Sequence, residues 1–307
     1  MNTASSEHRL LPGVSIALLA YFCLSCAASL VWNFQERFPT IQIIFIQNVV
    51  SFFCILPIAL RNGWEKLRTN ELPTHLMRDL FGVTSYFLYF LAIRYLNLLD
   101  AAILNNTAPF FVPLFWWMWM YERVEKHVWW SIIIGFIGVA IILNPSKEIF
   151  QFGFVFGFFA GIASAIAVIA IRLLSIKREP ISRTLFYYFS ISAILSFPFA
   201  WAAWVPPNGN EWFLIIGIGV FTAGGQMFLT LAYRYGTAAF LSPLCYSAVI
   251  FNGLSSTLIF GMPMTWRSYV GTSLIIIGGT LTYLWKRKPQ SIKETFVRTD
   301  TKKPPPI

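Results

Sequence analysis

Polar side chains stand at intervals inside long apolar runs: Gln47 and Asn48, Tyr86 and Tyr89, Asn105, Asn106 and Thr107, Gln226 and Thr230, and Ser242, Tyr246, Ser247 and Asn252. An amide or hydroxyl taken out of water without a partner costs several kcal/mol, so each must bond to a neighbour, to backbone or to a bound molecule. The chemistry on offer is reversible recognition, because amides donate and accept and phenol rings stack. Tyr86 and Tyr89 are three residues apart and share a helix face, as do Tyr86 and Phe90; that face could stack on a planar or cationic group. Asn105 and Asn106 are about 100° apart around a helix, so one is expected to face a bound molecule while the other ties its helix to a neighbour. Asparagine within a membrane also serves as interhelical glue. For Asn105 and Asn106 the two readings weigh equally, and for the other positions packing weighs more. The binding candidates are Asn48, Tyr86, Tyr89, Asn105, Asn106, Gln226 and Tyr246.

Bond-making chemistry has no comparable footing. No glycine-rich stretch ends in Lys-Ser/Thr, no His-Glu-x-x-His occurs, and His8, His75 and His127 form no metal-binding pattern. Cys23-x-x-Cys26 lacks a second pair and reads as small packing residues. The sequence predicts no catalytic residue, no metal and no cofactor, and therefore not an enzyme.

The elements that must position the polar groups are membrane helices. Hydrophobic residues make up 57% of the 307, charged residues only 12%, and mean hydropathy is +0.63, which leaves too little polar surface for a water-soluble fold. Ten segments have the length and apolarity to span a bilayer: Val14 to Val31, Ile41 to Leu60, Leu76 to Tyr95, Ala101 to Tyr121, Val128 to Leu143, Phe152 to Leu174, Thr184 to Val205, Trp212 to Tyr233, Ala238 to Ile259, and Tyr269 to Trp285. Most tryptophans fall near span ends, as in an interfacial aromatic belt.

The chain repeats itself 140 positions on. Leu91-Ala92-Ile93-Arg94-Tyr95 returns as Leu231-Ala232-Tyr233-Arg234-Tyr235, and Gly138 returns as Gly278. Each half holds five spans, and an odd number makes the second half enter from the opposite side. The predicted fold is an all-α polytopic membrane protein of ten transmembrane helices in two inverted five-helix repeats, at residues 11–144 and 151–286, followed by a disordered basic tail at 287–307.

With the N-terminus in the cytoplasm, 19 of the 23 Lys and Arg, Arg78 among them, fall in cytoplasmic segments, the positive-inside arrangement with both termini cytoplasmic. The net charge of +10 then serves orientation and contact with anionic membrane lipid. Nucleic acid is not an expected partner.

The stretch Ala101-Ala102-Ile103-Leu104-Asn105-Asn106-Thr107-Ala108-Pro109, then Pro113, Tyr121-Glu122-Arg123-Val124 and the glycines Gly135 and Gly138, resembles the EamA domain of the drug/metabolite transporter superfamily. In the second half Met262 stands opposite Glu122, Val249 opposite Pro109, and Pro243 opposite Ile103. The resemblance implies two five-helix bundles in a cell (inner) membrane carrying small organic solutes by alternating access, with a cavity lined by spans 1, 3, 4, 6, 8 and 9. It also favours a gating or helix-orienting role for Glu122 over a plain loop ion pair. Thr40 to Asn48 with Leu56-Pro57 resembles, more weakly, the second span of bacterial S-adenosylmethionine carriers. Asp100 is expected to cap the fourth span.

No Asp or Glu is expected at mid-depth in a span, which disfavours proton coupling and leaves exchange or facilitated diffusion. The expected solute is amino-acid-like or nucleoside-containing, such as S-adenosylmethionine. The alternatives are an exporter of amino acids or drugs, and a non-transporting sensor or scaffold. Glycines of spans 5 and 10 suit either a homodimer contact or packing within one chain.

Overall fold

A computed structural model describes residues 3–61, 63, 67–120, 130, 133–134, 137–138, 141, 152–235, 241–261 and 265–285. Glu122, most of the fifth expected span and residues 286–307 lie outside the described residues. The helices are α1 (Thr3–Phe34), α2 (Thr40–Leu60), α3 (Leu72–Tyr95), α4 (Leu98–Asn105), α5 (Ala108–Met120), α6 (Phe152–Ile176), α7 (Ile181–Ala202), α8 (Gly209–Tyr235), a 3-10 turn at Ser242–Cys245, α9 (Tyr246–Leu258) and α10 (Trp266–Trp285). Among the described residues, seven segments are long and apolar enough to cross a membrane, one of them Leu98–Trp119, which joins α4 and α5.

The polarity is that of a protein in lipid. Phe53, Ile194, Phe199, Phe213 and Leu258 are exposed, while Gln42, Gln47, Asn48, Ser51, His75, Arg78, Asp79, Ser192 and Thr222 are buried. An apolar exterior of this extent needs lipid to cover it.

Three seams join the halves: α1 with α8, α3 with α6, and α2 with α7. Along the first, a Cβ on Gly13 would meet that of Tyr235 at 2.9 Å, while Gly225 lies against Leu24 and Gly217 against Leu30. Along the second, a Cβ on Gly153 would meet that of Tyr95 at 2.7 Å, and Ser85 Oγ donates to Ala160 O at 3.0 Å. These are one seam seen twice, since Gly13 plus 140 is Gly153 and Tyr95 plus 140 is Tyr235. Small residues let the backbones come together, as packing without a hydrophobic driving force requires. The third seam pairs Phe45 with Phe197 and Phe52 with Phe186 at ring-centroid distances of 5.6 and 5.5 Å. Its helices exchange with each other under the repeat and run antiparallel. A two-fold that exchanges antiparallel helices lies perpendicular to them, in the membrane plane, so the repeat is inverted.

Three local expectations need correction. The fourth span is not one helix: α4 ends at Asn105 and α5 begins at Ala108. Pro109 has no N–H to return to the Asn105 carbonyl, and the freed turn is closed by Asn106 Nδ2 donating to Ala102 O (2.7 Å) and Thr107 Oγ1 to Leu104 O (2.8 Å). The cap of α4 is Asn97, not Asp100: Asn97 Oδ1 accepts from Asp100 N at 2.8 Å and its Nδ2 donates to Asp100 Oδ2 at 2.7 Å, a reciprocal box. Arg78 is no loop charge. With Pro73 in its first turn, α3 starts at Leu72 and carries Arg78 inside, 1% exposed.

Candidate functional site

The second half changes helix type next to the place where the first half breaks, a 3-10 turn running directly into α9. The 3-10 turn ends at Cys245, 140 positions after the last residue of α4. Paired interruptions at corresponding places mark the binding region of repeat-built carriers, because freed backbone groups can face a cavity there and nowhere in lipid.

A cavity of about 120 Å³ lies beside these two places. Part of its wall is made of repeat-related pairs: Leu24 with Ser164, Ala28 with Val168, Tyr86 with Gln226, Tyr89 with Leu229, Asn105 with Cys245, and Ala108 with Ala248. The cavity therefore straddles the two-fold axis. On the axis two equivalent positions touch, with Gln226 Nε2 donating to Tyr86 Oη at 3.0 Å across 140 residues. The symmetry is incomplete, as at Tyr21, a wall residue whose counterpart is Gly161. A Cβ on Gly161 would lie 2.8 Å from Leu104 O, so α6 rides against the break in α4.

Of the residues singled out by sequence, Tyr86, Tyr89, Asn105, Asn106 and Gln226 line this cavity. Asn105 and Asn106 both reach it, against the expectation that one would turn away, because the helix ends between them. Tyr86 and Phe90 meet edge-on at 5.7 Å. Tyr246 is buried behind the wall, its ring 6.5 Å from that of Phe110. Asn48 lies away from the cavity, its Nδ2 turned back to Ile44 O at 2.8 Å. Glu122 is outside the described residues.

Sequence reasoning missed a charged pair behind the cavity wall, one hydrogen bond from the wall residue Gln226. Arg78 Nη2 donates to Gln226 Oε1 at 2.7 Å, and the guanidinium lies 3.5 Å over the Tyr188 ring. Asp79, placed by sequence outside the mid-depth set, is 0% exposed, with Oδ1 3.8 Å from Arg78 Nη1. The usable signal was Arg-Asp directly before the apolar run that ends at Tyr95, one turn inside Pro73.

At the end where α3 and α7 begin and α6 and α8 finish, charges bridge the halves. Glu179 accepts from Thr69 (3.0 Å) and Arg183 (2.8 Å) and lies 3.5 Å from His75, and Glu71 pairs with Lys177. Burial raises the Glu179 carboxyl, but the bonds from Arg183 and Thr69 outweigh it and hold the group below the usual carboxylate range. At the opposite end Arg37 pairs with Glu211 at 2.5 Å, and Gln42 exchanges two hydrogen bonds with Val205, at 2.6 and 2.9 Å. Both ends are thus tied across the halves, with the cavity between them.

Relatives of this chain are named as transporters. A pseudopaline exporter of Pseudomonas aeruginosa is 30% identical over 271 residues, covering 88% of this chain and 92% of the relative. A riboflavin transporter of Vibrio cholerae is 27% identical, covering 83% and 87%. An S-adenosylmethionine uptake transporter of Rickettsia felis is 26% identical, covering 94% and 97%. A crystal structure of a protein at 19% identity superposes with a TM-score of 0.68 over 93% of this chain and 99% of its own, which shows a shared fold. The profile of one family matches both halves, at residues 11–144 and 151–284, and the chain belongs to that family, the EamA-like transporters.

Proposed function

We propose that this protein moves a small organic solute across a cell membrane by alternating access, with the solute held in the axial cavity. The observation that carries this reading is the cavity's place on the two-fold axis, beside the break between α4 and α5 and the 3-10 turn at the corresponding place in the second half. A site on the axis is the one place that keeps the same surroundings when the repeats exchange roles. Residues 11–144 and 151–286 act as the two rocking units. The positive-inside distribution of Lys and Arg supports cytoplasmic termini, in an inner membrane if the cell has two.

The wall chemistry favours an amino-acid-like or nucleoside-containing solute. Tyr86, Tyr89 and Phe90 supply stacking faces, and Asn105, Asn106 and Gln226 supply paired donors and acceptors. S-adenosylmethionine combines both features, and relatives named for its uptake support trying it first. At about 120 Å³ the cavity is smaller than the roughly 300–1,000 Å³ that encloses drug-sized ligands, so the bridged ends correspond to a contracted state that widens when one end opens. The test is counterflow of labelled S-adenosylmethionine into proteoliposomes, with riboflavin and amino acids as competitors. Asn105→Ala should insert normally and slow entry at least about tenfold, the loss of roughly 1.4 kcal/mol of recognition. Unchanged entry would make Asn105 a packing residue.

A further inference from the structure

We propose that Asp79 is a proton-binding site, reached from the Glu179 end through His75, that couples proton movement to solute movement; this rests on the transporter reading above. Neither carboxylate oxygen of Asp79 has a hydrogen-bond partner among the described residues, and both are fully buried. Its nearest opposite charge is Arg78, at 3.8 Å, and that guanidinium is already engaged by Gln226 and by the Tyr188 ring. A buried carboxylate so thinly supported has two affordable states, ionised beside Arg78 or neutral as the acid. An ionisable group kept at such depth is a functional group before it is a structural one.

Residues on either side of Asp79 lead to opposite destinations. Toward the surface, His75 stands one turn earlier on the same face of α3, with both ring nitrogens buried and free of hydrogen bonds among the described residues, 3.5 Å from Glu179. Toward the cavity, Arg78, Gln226 and Tyr86 form a chain with links of 2.7 and 3.0 Å. The groups facing Asp79 are Arg78 and His75 on its own helix and Tyr188 on α7, with Glu179 and Arg183 beyond His75. Helix α2 has no Asp, Glu, Lys, Arg or His, Arg172 of α6 donates to Tyr233 O, and Asp100 of α4 is held by Asn97 and Ser268 at the far end.

The step balances. A proton arriving from Glu179 by way of His75 neutralises Asp79, and Arg78 loses its counter-charge. An anionic group of the solute, such as a carboxylate, then takes that place by displacing Gln226. Once the cavity opens to the other side, Asp79 gives its proton to water there, the Arg78–Asp79 pair re-forms and the solute group is expelled. The positions equivalent to His75, Arg78 and Asp79 are Ile215, Ile218 and Gly219, so the fold has no need of the charges.

Two measurements test this. In proteoliposomes a pH difference should drive S-adenosylmethionine accumulation about tenfold per unit for one proton, whereas Asp79→Asn should still exchange labelled for unlabelled solute with no response to the gradient. Coupled accumulation by Asp79→Asn, or exchange by the wild type that ignores the gradient, overturns the site. Absence of all exchange in the wild type speaks against the transporter reading or the choice of solute instead. The second measurement needs no solute. Infrared difference spectra of the folded protein over pH should show a protonated-carboxyl band that shifts in Asp79→Glu, the variant to use if Asp79→Asn does not fold. If no band titrates and shifts in this way, Asp79 holds one state and the proposal fails.

Discussion

The α3 segment at 75–79 and its counterpart in α8 at 215–219 occupy equivalent places in the two repeats, yet one carries His75, Arg78 and Asp79 and the other Ile215, Ile218 and Gly219. Both are buried: Ile215 and Ile218 are as hidden as Arg78. At the apolar site a glycine lets α2 close in, and a Cβ on Gly219 would meet that of Val50 at 2.5 Å. At the charged site the same depth holds a guanidinium stacked on an aromatic ring. What two helices need in order to pack is therefore met without charge, and the charged version has been kept for something beyond packing.

Breaking the charged side should have the largest effect. Arg78→Leu strands Asp79 without a counter-ion and should cost about 3–5 kcal/mol, whereas replacing both residues with apolar ones of similar size should recover most of it; thermal unfolding followed by size-exclusion chromatography gives both values. Charging the apolar side comes next. Ile218→Arg, with no acid beside it, should cost about 2.5–3.5 kcal/mol by the price of a mid-helix charge, read as loss of inserted protein. Filling the asymmetric gap at the axis with Gly161→Val should cost about 1–3 kcal/mol through collision with Leu104 O, again in thermal unfolding. Glu179 supplies a pH test. Its lowered carboxyl contributes stability that is complete above the ordinary glutamate value and is lost as pH falls through the lowered one. Protection of the α7 start from hydrogen exchange should fall on acidification, and Glu179→Gln should abolish that dependence. The smallest effect belongs to Tyr86→Phe, which removes the axial bond from Gln226 and should cost about 0.6 kcal/mol while altering solute affinity.

Much of this architecture was legible in the residues. The 140-position echo of Leu91 to Tyr95 gave the two repeats, and the structure sets both of its tyrosines, Tyr95 and Tyr235, against glycines of the partner helices. Five of the seven binding candidates reach one cavity because an amide inside an apolar run has few other places to go. The helix interruptions were hidden because they involve different prolines. Pro109 follows the break in the first half and Pro243 lies within the 3-10 turn of the second, six positions out of register, and only backbone geometry shows that the two interruptions correspond. Arg78 was misplaced because its partner Gln226 is 148 residues away, and hydropathy at the edge of a run does not tell a buried arginine from one in the headgroups.

The central claim is that the axial cavity faces each side of the membrane in turn and is where the solute binds. Replacing the four cysteines, at 23, 26, 54 and 245, and introducing Ser85→Cys in the wall allows labelling with a membrane-impermeant thiol reagent in vesicles of either orientation. The account predicts labelling from both sides, slowed from both by the transported solute. Labelling from one side alone, or labelling that the solute leaves unchanged, would contradict it.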